Sequence, residues 1–353
     1  MIRRCPTTWL FGERLVSMRG LTAAIALLFT TSFVAYAADP YHLIKEIPIG
    51  GEGGWDYITV DPAAHRLYVS HATKIVVADY QTGKVVGEIP DTAGVHGFAI
   101  APDLGRGFTS NGRANTSTIV DLKTLKPLGT VATGGNPDAI FYEPLQKEVY
   151  TMNGNGKSAT VFDAQTGKVV ATIPFNDKPE AVVEDQASNR LFVNLEDTGS
   201  IGVIDIKTHK LVATWKLTGC EAPTGLGFDP KNHRLFSACD NEVMAVTDSQ
   251  SGKVVTTSPI GAGADGAAFD PGTGYAFASN GEDGTLTIAH LDSPNTLTVV
   301  QTLKTAVSGR TMILDPASHI VYIPAAMTTP NPAGRGRAVP VAGSFKVLVF
   351  GMN

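Results

Sequence analysis

The sequence predicts an all-β chain that closes into a seven-bladed β-propeller, with four antiparallel strands in each blade and the last blade closed by the N-terminal strand. Short apolar strands recur about every 42 residues, and each repeat has room for four of them. The chain also has 37 glycines and only 17% charged residues, a balance that fits many tight turns better than helices. These observations together favour a propeller.

An aspartate recurs once per repeat, as the last residue of a short segment with alternating apolar residues, in IVVAD, STIVD, ATVFD and GVID. These aspartates are Asp79, Asp121, Asp163, Asp205, Asp248 and Asp292. The first four are 42 residues apart, and the last two follow at intervals of 43 and 44. Turns such as Thr-Gly-Lys come after several of them, so we expect the carboxylates to organise turns.

The strand count predicts how the ring closes. Each repeat has a first strand ending in Asp-Pro or a similar turn, and three further strands. Six complete repeats run from Gly50 to about Leu303, but the seventh, from Ser308 to Phe350, has only three strands. Residues 42–49 (HLIKEIPI) are similar to a fourth strand, VVATIP at 169–174. We therefore predict that this N-terminal segment completes the last blade and hides both strand edges.

The second strands carry a family resemblance. Several end at or near an asparagine, namely Asn111, Asn153, Asn194 and Asn280. With the Asp-Pro turn and the Asp-x-x-Thr-Gly-Lys hairpin, they make residues 41–353 resemble the YVTN-repeat, WD40-like propellers, in particular YncE-like periplasmic and surface-layer-associated proteins. The resemblance implies the propeller fold. The family includes both binding proteins and lactonase-like hydrolases, so the resemblance leaves both functions open. The seventh repeat departs from the pattern, because Ile323-Pro324-Ala325 replaces the asparagine-ended strand.

The N-terminus has the features of a signal peptide. Arginines precede the apolar run Leu21–Tyr36, which ends in the small-x-small pattern Ala35-Tyr36-Ala37. We predict cleavage after Ala37, which leaves 38–353 as one periplasmic or secreted domain without another segment able to span a membrane. The alternative is an uncleaved anchor, since the run is nearly long enough to cross a bilayer.

Charge and cysteine content limit the partners. Residues 1–37 hold four arginines and one glutamate, so their removal lowers the net charge from −5 to −8. Nucleic acid is therefore an unfavoured partner, and a small polar ligand or a periplasmic protein is favoured. Cys220 and Cys239 remain in a compartment expected to be oxidising, where either a disulfide or two separate thiols would fit their positions.

Counting from the turn prolines places one residue of each blade at one mouth of the central channel. These mouth residues are Asp56, His96, Asp138, Glu180, Thr224, Asp265 and Arg310. The second strands end beside them at His71, Asn111, Asn153, Leu195, Cys239, Asn280 and Ala325. Trp55 could add an aromatic wall for a ligand. A purely structural reading is the alternative, because water fills many propeller channels and asparagines often satisfy loop backbone groups.

The chemistry of this mouth supports two functional hypotheses. Carboxylate and asparagine oxygens would suit a calcium-like cation, whereas His96 and Arg310 would suit a polar or anionic ligand. No motif of a nucleophilic enzyme is present in the sequence. We therefore favour a non-enzymatic binding or scaffold module, and we assign it neither a cofactor nor a catalytic residue. The alternative is a lactonase-like hydrolase in which rim carboxylates hold a divalent cation.

One segment breaks the repeat. Between the second and third strands of blade seven, residues 327–340 form a long connection rich in proline, glycine and arginine. A mobile surface loop is one interpretation. The other is a lid or docking arm in which Arg335 and Arg337 meet an acidic group.

Overall fold

The computed structural model describes residues 40–331 and 338–352. The predicted signal peptide and Arg335 and Arg337 lie outside these residues, so their roles stay predictions. No helix within the described ranges is long and apolar enough to cross a membrane. Seven four-stranded antiparallel sheets make up the blades of the propeller, as the sequence predicts.

The strands follow one another from the first residues described. The chain begins with β1 (Tyr41–Pro48). Blade one has β2 (Ile58–Asp61), β3 (Arg66–His71), β4 (Lys74–Asp79) and β5 (Lys84–Ile89). Blade two has β6 (Val95–Ala101), the short 3-10 helix Pro102–Leu104, β7 (Arg106–Asn111), β8 (Thr116–Asp121) and β9 (Pro127–Ala132). Blade three has β10 (Pro137–Glu143), β11 (Glu148–Asn153), β12 (Ser158–Asp163) and β13 (Val169–Pro174).

The remaining blades repeat this order. Blade four has β14 (Pro179–Asp185), β15 (Arg190–Leu195), β16 (Ser200–Asp205) and β17 (Lys210–Lys216). Blade five has β18 (Pro223–Asp229), β19 (Arg234–Cys239), β20 (Val243–Asp248) and β21 (Val254–Pro259). Blade six has β22 (Ala264–Asp270), β23 (Tyr275–Asn280), β24 (Thr285–Ser293) and β25 (Thr296–Lys304). Blade seven has β26 (Ile313–Asp315), β27 (Ile320–Ala325) and β30 (Lys346–Met352), and between them the hairpin of β28 (Thr328–Thr329) and β29 (Val339–Pro340).

The ring closes as the strand count predicts. Blade seven has the strand order β26-β27-β30-β1, so the N-terminal strand is its outer strand. Tyr41 pairs with Met352 and Pro48 with Lys346. The first strands of neighbouring blades contact one another around the ring, and β2 of blade one contacts β26 of blade seven. The first and last strands of the described chain, β1 and β30, are thereby paired with each other.

The apolar core lies between adjacent blades. The third residue of every second strand is a fully buried aromatic: Tyr68, Phe108, Tyr150, Phe192, Phe236, Phe277 and Tyr322. Several of these rings pack on an aromatic side chain of the next blade, as Phe236 does on Phe269 with centroids 4.7 Å apart. Large aromatic side chains at a repeated position bury much apolar area, and burial of apolar area is the main term that stabilises the propeller.

Five of the six periodic aspartates organise turns, as the sequence predicts. Asp121 is typical, because its Oδ1 accepts hydrogen bonds from the Thr124 backbone N–H (2.7 Å) and hydroxyl (2.8 Å). Asp79, Asp163, Asp205 and Asp248 make the same pair of bonds. Asp292 differs because β24 runs on to Ser293, and its carboxylate lies 2.7 Å from Nδ1 of His290 instead.

Of the two arrangements that fit the cysteines, the structure has the disulfide. Cys220 and Cys239 form a disulfide, with Cα atoms 5.4 Å apart. Cys239 ends β19, and Cys220 lies just before β18, to which β19 pairs. Antiparallel pairing therefore brings the two sulfur atoms together.

Candidate functional site at the channel mouth

Backbone bulges aim the mouth residues at the channel. In blades two to six, the pairing between the first and second strands shifts register across His96, Asp138, Glu180, Thr224 and Asp265. Bulges commonly re-aim a side chain at the end of a strand. Serines of the second strands fix this geometry: Ser110 Oγ accepts from the Gly97 N–H at 2.8 Å and donates to the Asp138 carbonyl.

Three mouth residues of blades one to three form a tight cluster. Nδ1 of His96 lies 2.6 Å from Oδ2 of Asp56 and 3.5 Å from Oδ1 of Asp138. One ligand-type atom from each of the three residues lies within 4.8 Å of the others. The imidazole is therefore held between two carboxyl groups. Burial by itself would lower the pKa of His96, but the hydrogen bond to Asp56 and the charge of Asp138 raise it overall.

Blades six and seven join this cluster through a guanidinium group. Arg310 forms an ion pair with Asp265, and its Nη2 lies 3.4 Å from Oδ1 of Asp56. The same Nη2 donates a hydrogen bond to the Trp55 carbonyl at 3.1 Å. Thr311 adds a bond from its hydroxyl to the Asp56 carbonyl at 2.7 Å. Arg310 thus links the last blade to the first across the mouth.

Blade four contributes a second acidic pair. Nζ of Lys178 lies 2.7 Å from Oε1 of Glu180 and also forms an ion pair with Glu196. Burial, the charge of Asp138 and a hydrogen bond to Glu196 raise the pKa of Glu180 to about 9, and Lys178 opposes them. Burial and the neighbouring negative charge therefore favour the protonated form of Glu180, whereas the ammonium group of Lys178 favours the charged form.

Asp138 is a second carboxyl group of the mouth whose pKa is raised. Burial and the charge of Asp56 raise its pKa to about 7, although His96 acts in the opposite direction. A buried carboxyl group shifts this way when the positive charges around it do not balance the negative ones. Among the described residues, the mouth therefore has more carboxyl groups than cationic side chains.

Tyr57 fills the space between these charges. Its ring packs against the apolar cluster of blades three and four, which includes Ala139. Burial and the charges of Asp138, Glu180, Asp56 and Asp265, which come from four blades, raise its pKa well above the ordinary value. Tyr57 of blade one therefore reaches from its own blade to the apolar cluster of blades three and four.

Three of the four second-strand asparagines bond their own blade, whereas Asn194 donates to the carbonyls of Thr224 and Gly225 in blade five. Asn111, Asn153 and Asn280 are fully buried, and the Nδ2 of each donates to two hydroxyl groups of the third strand of its own blade. These bonds hold the turn between the second and third strands. The ligand-binding role predicted for these asparagines stays a prediction.

The other predicted mouth residues have local contacts. Trp55 stacks on Phe345 of blade seven at a centroid distance of 5.0 Å, so its ring faces the rim of that blade. Thr224 donates to the Ala264 carbonyl at 2.8 Å. In this part of the wall the first strands come so close that a Cβ on Gly225 would lie 2.5 Å from the backbone of Gly266. Blades five and six therefore approach through backbone rather than side chains.

Sequence reasoning missed Tyr57, Lys178 and Glu196. A signal for Tyr57 was present, because the residue after each mouth residue is small in every other blade: Gly97, Ala139, Ala181, Gly225, Gly266 and Thr311. One large ring among six small residues at one position indicates a side chain that occupies shared space. Lys178 and Glu196 carry no comparable repeat signal.

The long connection of blade seven belongs to the same end of the propeller. Its described parts pair as β28 and β29, and Val341 N–H donates to the Met327 carbonyl at 2.8 Å. Gly343 N–H donates to the Gly51 carbonyl, also at 2.8 Å, next to the chain that leads to Trp55 and Asp56. The base of this connection therefore lies at the edge of the mouth.

Comparisons with known proteins agree on the fold. No protein-family model matches the sequence, and no curated protein matches it. The structure is similar to that of hydrazine synthase from Kuenenia stuttgartiensis, with a TM-score of 0.68, 18% identity and coverage of 82% of this chain and 96% of that one. It is also similar to the WD40 repeats of RRP9, with a TM-score of 0.71, 11% identity and coverage of 90% and 98%. At these identities the similarity shows a seven-bladed, WD40-like β-propeller and leaves function to the site.

Proposed function

We propose that the protein is an exported binding propeller that receives a small polar ligand at the mouth of its channel. The observation that carries this proposal is the convergence of charged side chains from six blades around Tyr57. A water-filled channel needs only polar groups, and buried charges are costly unless they are paired. A cluster with carboxyl groups in excess of its cations is therefore more than a solvated channel requires.

The charges indicate which ligand groups would fit. Asp56, Asp138 and Asp265 present carboxyl oxygens, and in the described part of the chain Arg310 and His96 lie beside them. The third cation of the mouth, Lys178, pairs with Glu180 and Glu196. A ligand with an ammonium group or several hydroxyl donors would complete the balance at Asp138. Tyr57 would offer its ring to the apolar part of such a ligand.

Two features support export. The disulfide between Cys220 and Cys239 is of a kind that persists mainly outside the cytoplasm. The repeat resembles the YVTN propellers, among which YncE-like proteins are periplasmic. Proteolytic mapping of the N-terminus after expression with the full leader would test cleavage after Ala37. A retained leader would favour the anchored alternative.

The binding proposal is tested with residues 38–353 by thermal unfolding against a panel of small amines, amino acids and sugars. A ligand that binds only the folded state raises the melting temperature with its concentration. We expect stabilisation by a member that carries a cation or several hydroxyl groups, and its loss in Asp138→Asn. Glu88→Gln is the control, because Glu88 pairs with Lys74 on the surface. A panel without any effect, or an effect that Asp138→Asn retains in full, would contradict the proposal.

A metal-assisted, lactonase-like hydrolase is the second candidate. The observation that favours it is the Asp56, His96 and Asp138 cluster, whose ligand atoms lie within 4.8 Å of one another. The imidazole nitrogen makes this donor set better suited to zinc, manganese or another transition metal than to the calcium-like cation expected from sequence. Such a cation would supply an acidified water molecule for hydrolysis.

Chelation separates the two candidates. If the cluster holds a metal, treatment with a chelator should lower the melting temperature of the mature protein, and readdition of zinc or manganese should restore it. His96→Ala should abolish that response, and lactone hydrolysis would then be the activity to assay. A melting temperature that is the same with chelator and with either metal would leave the metal-free binding module.

A further inference from the structure

A repeated contact joins neighbouring blades at the end of the strands opposite the mouth. The first residue of several second strands is an arginine that donates to a backbone carbonyl of the next blade. Arg66 reaches Leu122 at 2.8 Å, Arg106 reaches Ala164 at 2.9 Å, and Arg234 reaches Pro294 at 2.5 Å. A guanidinium group of the chain itself therefore lies in each of these three grooves.

The groove between blades three and four lacks this arginine. Glu148 stands at the equivalent position, and its Oε2 lies 2.8 Å from Nε2 of His209 and accepts from the Tyr150 hydroxyl at 3.3 Å. The carbonyl of Ile206, equivalent to that of Leu122, accepts from Nε2 of Gln146 at 3.0 Å. This groove therefore has the carboxyl group of Glu148 at the position where the other three have a guanidinium group.

A cavity of about 390 Å³ lies in this groove. It is lined by Glu143, Leu145, Gln146, Glu184, Gln186, Asn189, Ile206 and Lys207. The equivalent depression between blades one and two is more open, and Arg66 lies in it. The groove between blades three and four is therefore a more enclosed site without its internal guanidinium group.

In the described part of the chain, no ion pair joins the carboxyl groups of Glu143 and Glu184 to a cationic side chain. Oε1 of Glu184 is buried and has no hydrogen-bond partner within the described ranges. Burial, the charge of Glu143 and a hydrogen bond to Glu143 raise the pKa of Glu184 to about 7, although a hydrogen bond to Gln186 acts in the opposite direction. Glu143 is fully buried, and its two oxygens accept from the backbone N–H groups of Leu145 and Gln146, each at 2.7 Å. Lys207, the one cationic residue of the lining, is exposed to solvent.

We infer that this cavity is a docking pocket for an arginine side chain of a protein partner, which would enter where three other grooves hold an arginine of the chain itself. The unpaired oxygen of Glu184 would accept from the guanidinium group, whose planar donors suit carboxylates. The exposed side chain of Leu145 at the cavity edge would cover the methylene stem. The pocket faces away from the channel mouth, so this partner and the small ligand could bind at the same time.

Backbone amide NMR on the mature protein tests the inference with a defined probe, acetyl-arginine methylamide. Leu145 and Gln146 are the reporters, because their N–H groups bond Glu143 in the pocket wall. We expect saturable shifts at both amides with the arginine probe and none with acetyl-citrulline methylamide, its uncharged analogue. Ala63 and Ala64 are the internal control, since they line the groove that Arg66 occupies.

Two variants complete the test. Glu148→Arg places an arginine at the equivalent position and should abolish the probe-dependent shifts. Glu184→Gln tests the same pocket without adding a large side chain, and it should weaken probe binding about tenfold. Glu88→Gln should bind the probe like the unaltered protein. Equal shifts with the citrulline analogue, no shifts with the arginine probe, or undiminished binding in Glu184→Gln would each overturn the inference.

Discussion

The side-chain amide of Gln301 bonds both backbone polar groups of Tyr41. Its Oε1 accepts from the Tyr41 N–H at 3.0 Å, and its Nε2 donates to the Tyr41 carbonyl at 2.8 Å. Gln301 belongs to β25 of blade six, whereas Tyr41 begins the strand that closes blade seven. The closing strand is therefore fastened to two blades, by the ladder with β30 and by this amide.

Replacement of Gln301 tests the second of these attachments. Gln301→Leu keeps the size of the side chain but leaves two buried backbone groups without partners, at about 1–3 kcal/mol each. We expect a lower free energy of unfolding in urea, with an unchanged fold by circular dichroism. Gln250→Leu, at an exposed turn, is the matched control and should change stability little. Equal stability of the two variants would mean that the ladder alone holds the strand.

Removal of residues 39–49 tests the whole closure. This deletion takes away the outer strand of blade seven and exposes the edge of β30. We expect a sharply lower melting temperature and a tendency to aggregate. Addition of the deleted segment as a peptide should recover part of the stability. An unchanged melting temperature would contradict closure by the N-terminal strand.

The disulfide should stabilise blade five. Cys220 and Cys239 are separated by 19 residues in sequence, a loop for which a crosslink contributes about 3 kcal/mol. We expect reducing agent to lower the melting temperature of the mature protein, and the double change to serine to remove that response. Thiol titration of the unfolded, unreduced protein should find no free thiol after the leader has gone. Two free thiols would contradict the pairing.

Tyr57 should contribute through its ring rather than its hydroxyl group. Tyr57→Ala removes an aromatic ring that blades three and four pack against, and we expect a loss of about 2–4 kcal/mol. Tyr57→Phe keeps the ring, so its stability should stay within about 1 kcal/mol of the original. Chemical unfolding of the two variants measures the difference. Equal losses would place the stabilising contact at the hydroxyl group.

Stability should also depend on pH through Glu184. Its pKa is raised from 4.5 to about 7 in the folded protein, so folding favours the protonated form. This contribution is fully present below about pH 4.5 and is lost as the pH rises through about 7. The carboxyl group is partly exposed, so solvent screening limits the size of the effect.

Glu184→Gln measures that contribution, because the amide cannot ionise. Relative to the original protein, the variant should be more stable at pH 8 than at pH 5. Glu88→Gln, on the surface, should shift the two melting temperatures equally. A stability difference between Glu184→Gln and the original that does not change with pH would show that Glu184 titrates normally.

Several features of the fold could be predicted from the sequence because they depend on local, repeated chemistry. The 42-residue period of the aspartates predicted the blades, since five of the six aspartates bond residues only two or three positions away. The missing fourth strand predicted closure by residues 42–49, and β1 is found at 41–48. The same count placed Asp56, His96 and Asp138 at equivalent positions, which is why they meet at one end of the ring.

Contacts between blades could not be predicted in this way. Three of the asparagines share a sequence position with the mouth, yet their amides turn to third-strand hydroxyls. Tyr57 reaches from blade one to the apolar cluster of blades three and four, and Arg310 reaches Asp56 across a separation of more than two hundred residues. Which charges lack a partner, as at Glu184, depends on packing between blades.

The sequence by itself determined the number of blades, the closing strand and the residues that face the mouth, because strand alternation and turn chemistry act over a few residues and repeat seven times. Only the tertiary structure decided which of those residues interact, which cysteines are joined and where carboxyl groups exceed cations. The physical reason is that electrostatic and packing energies depend on distances across the ring, and these distances exist only once all seven blades are assembled.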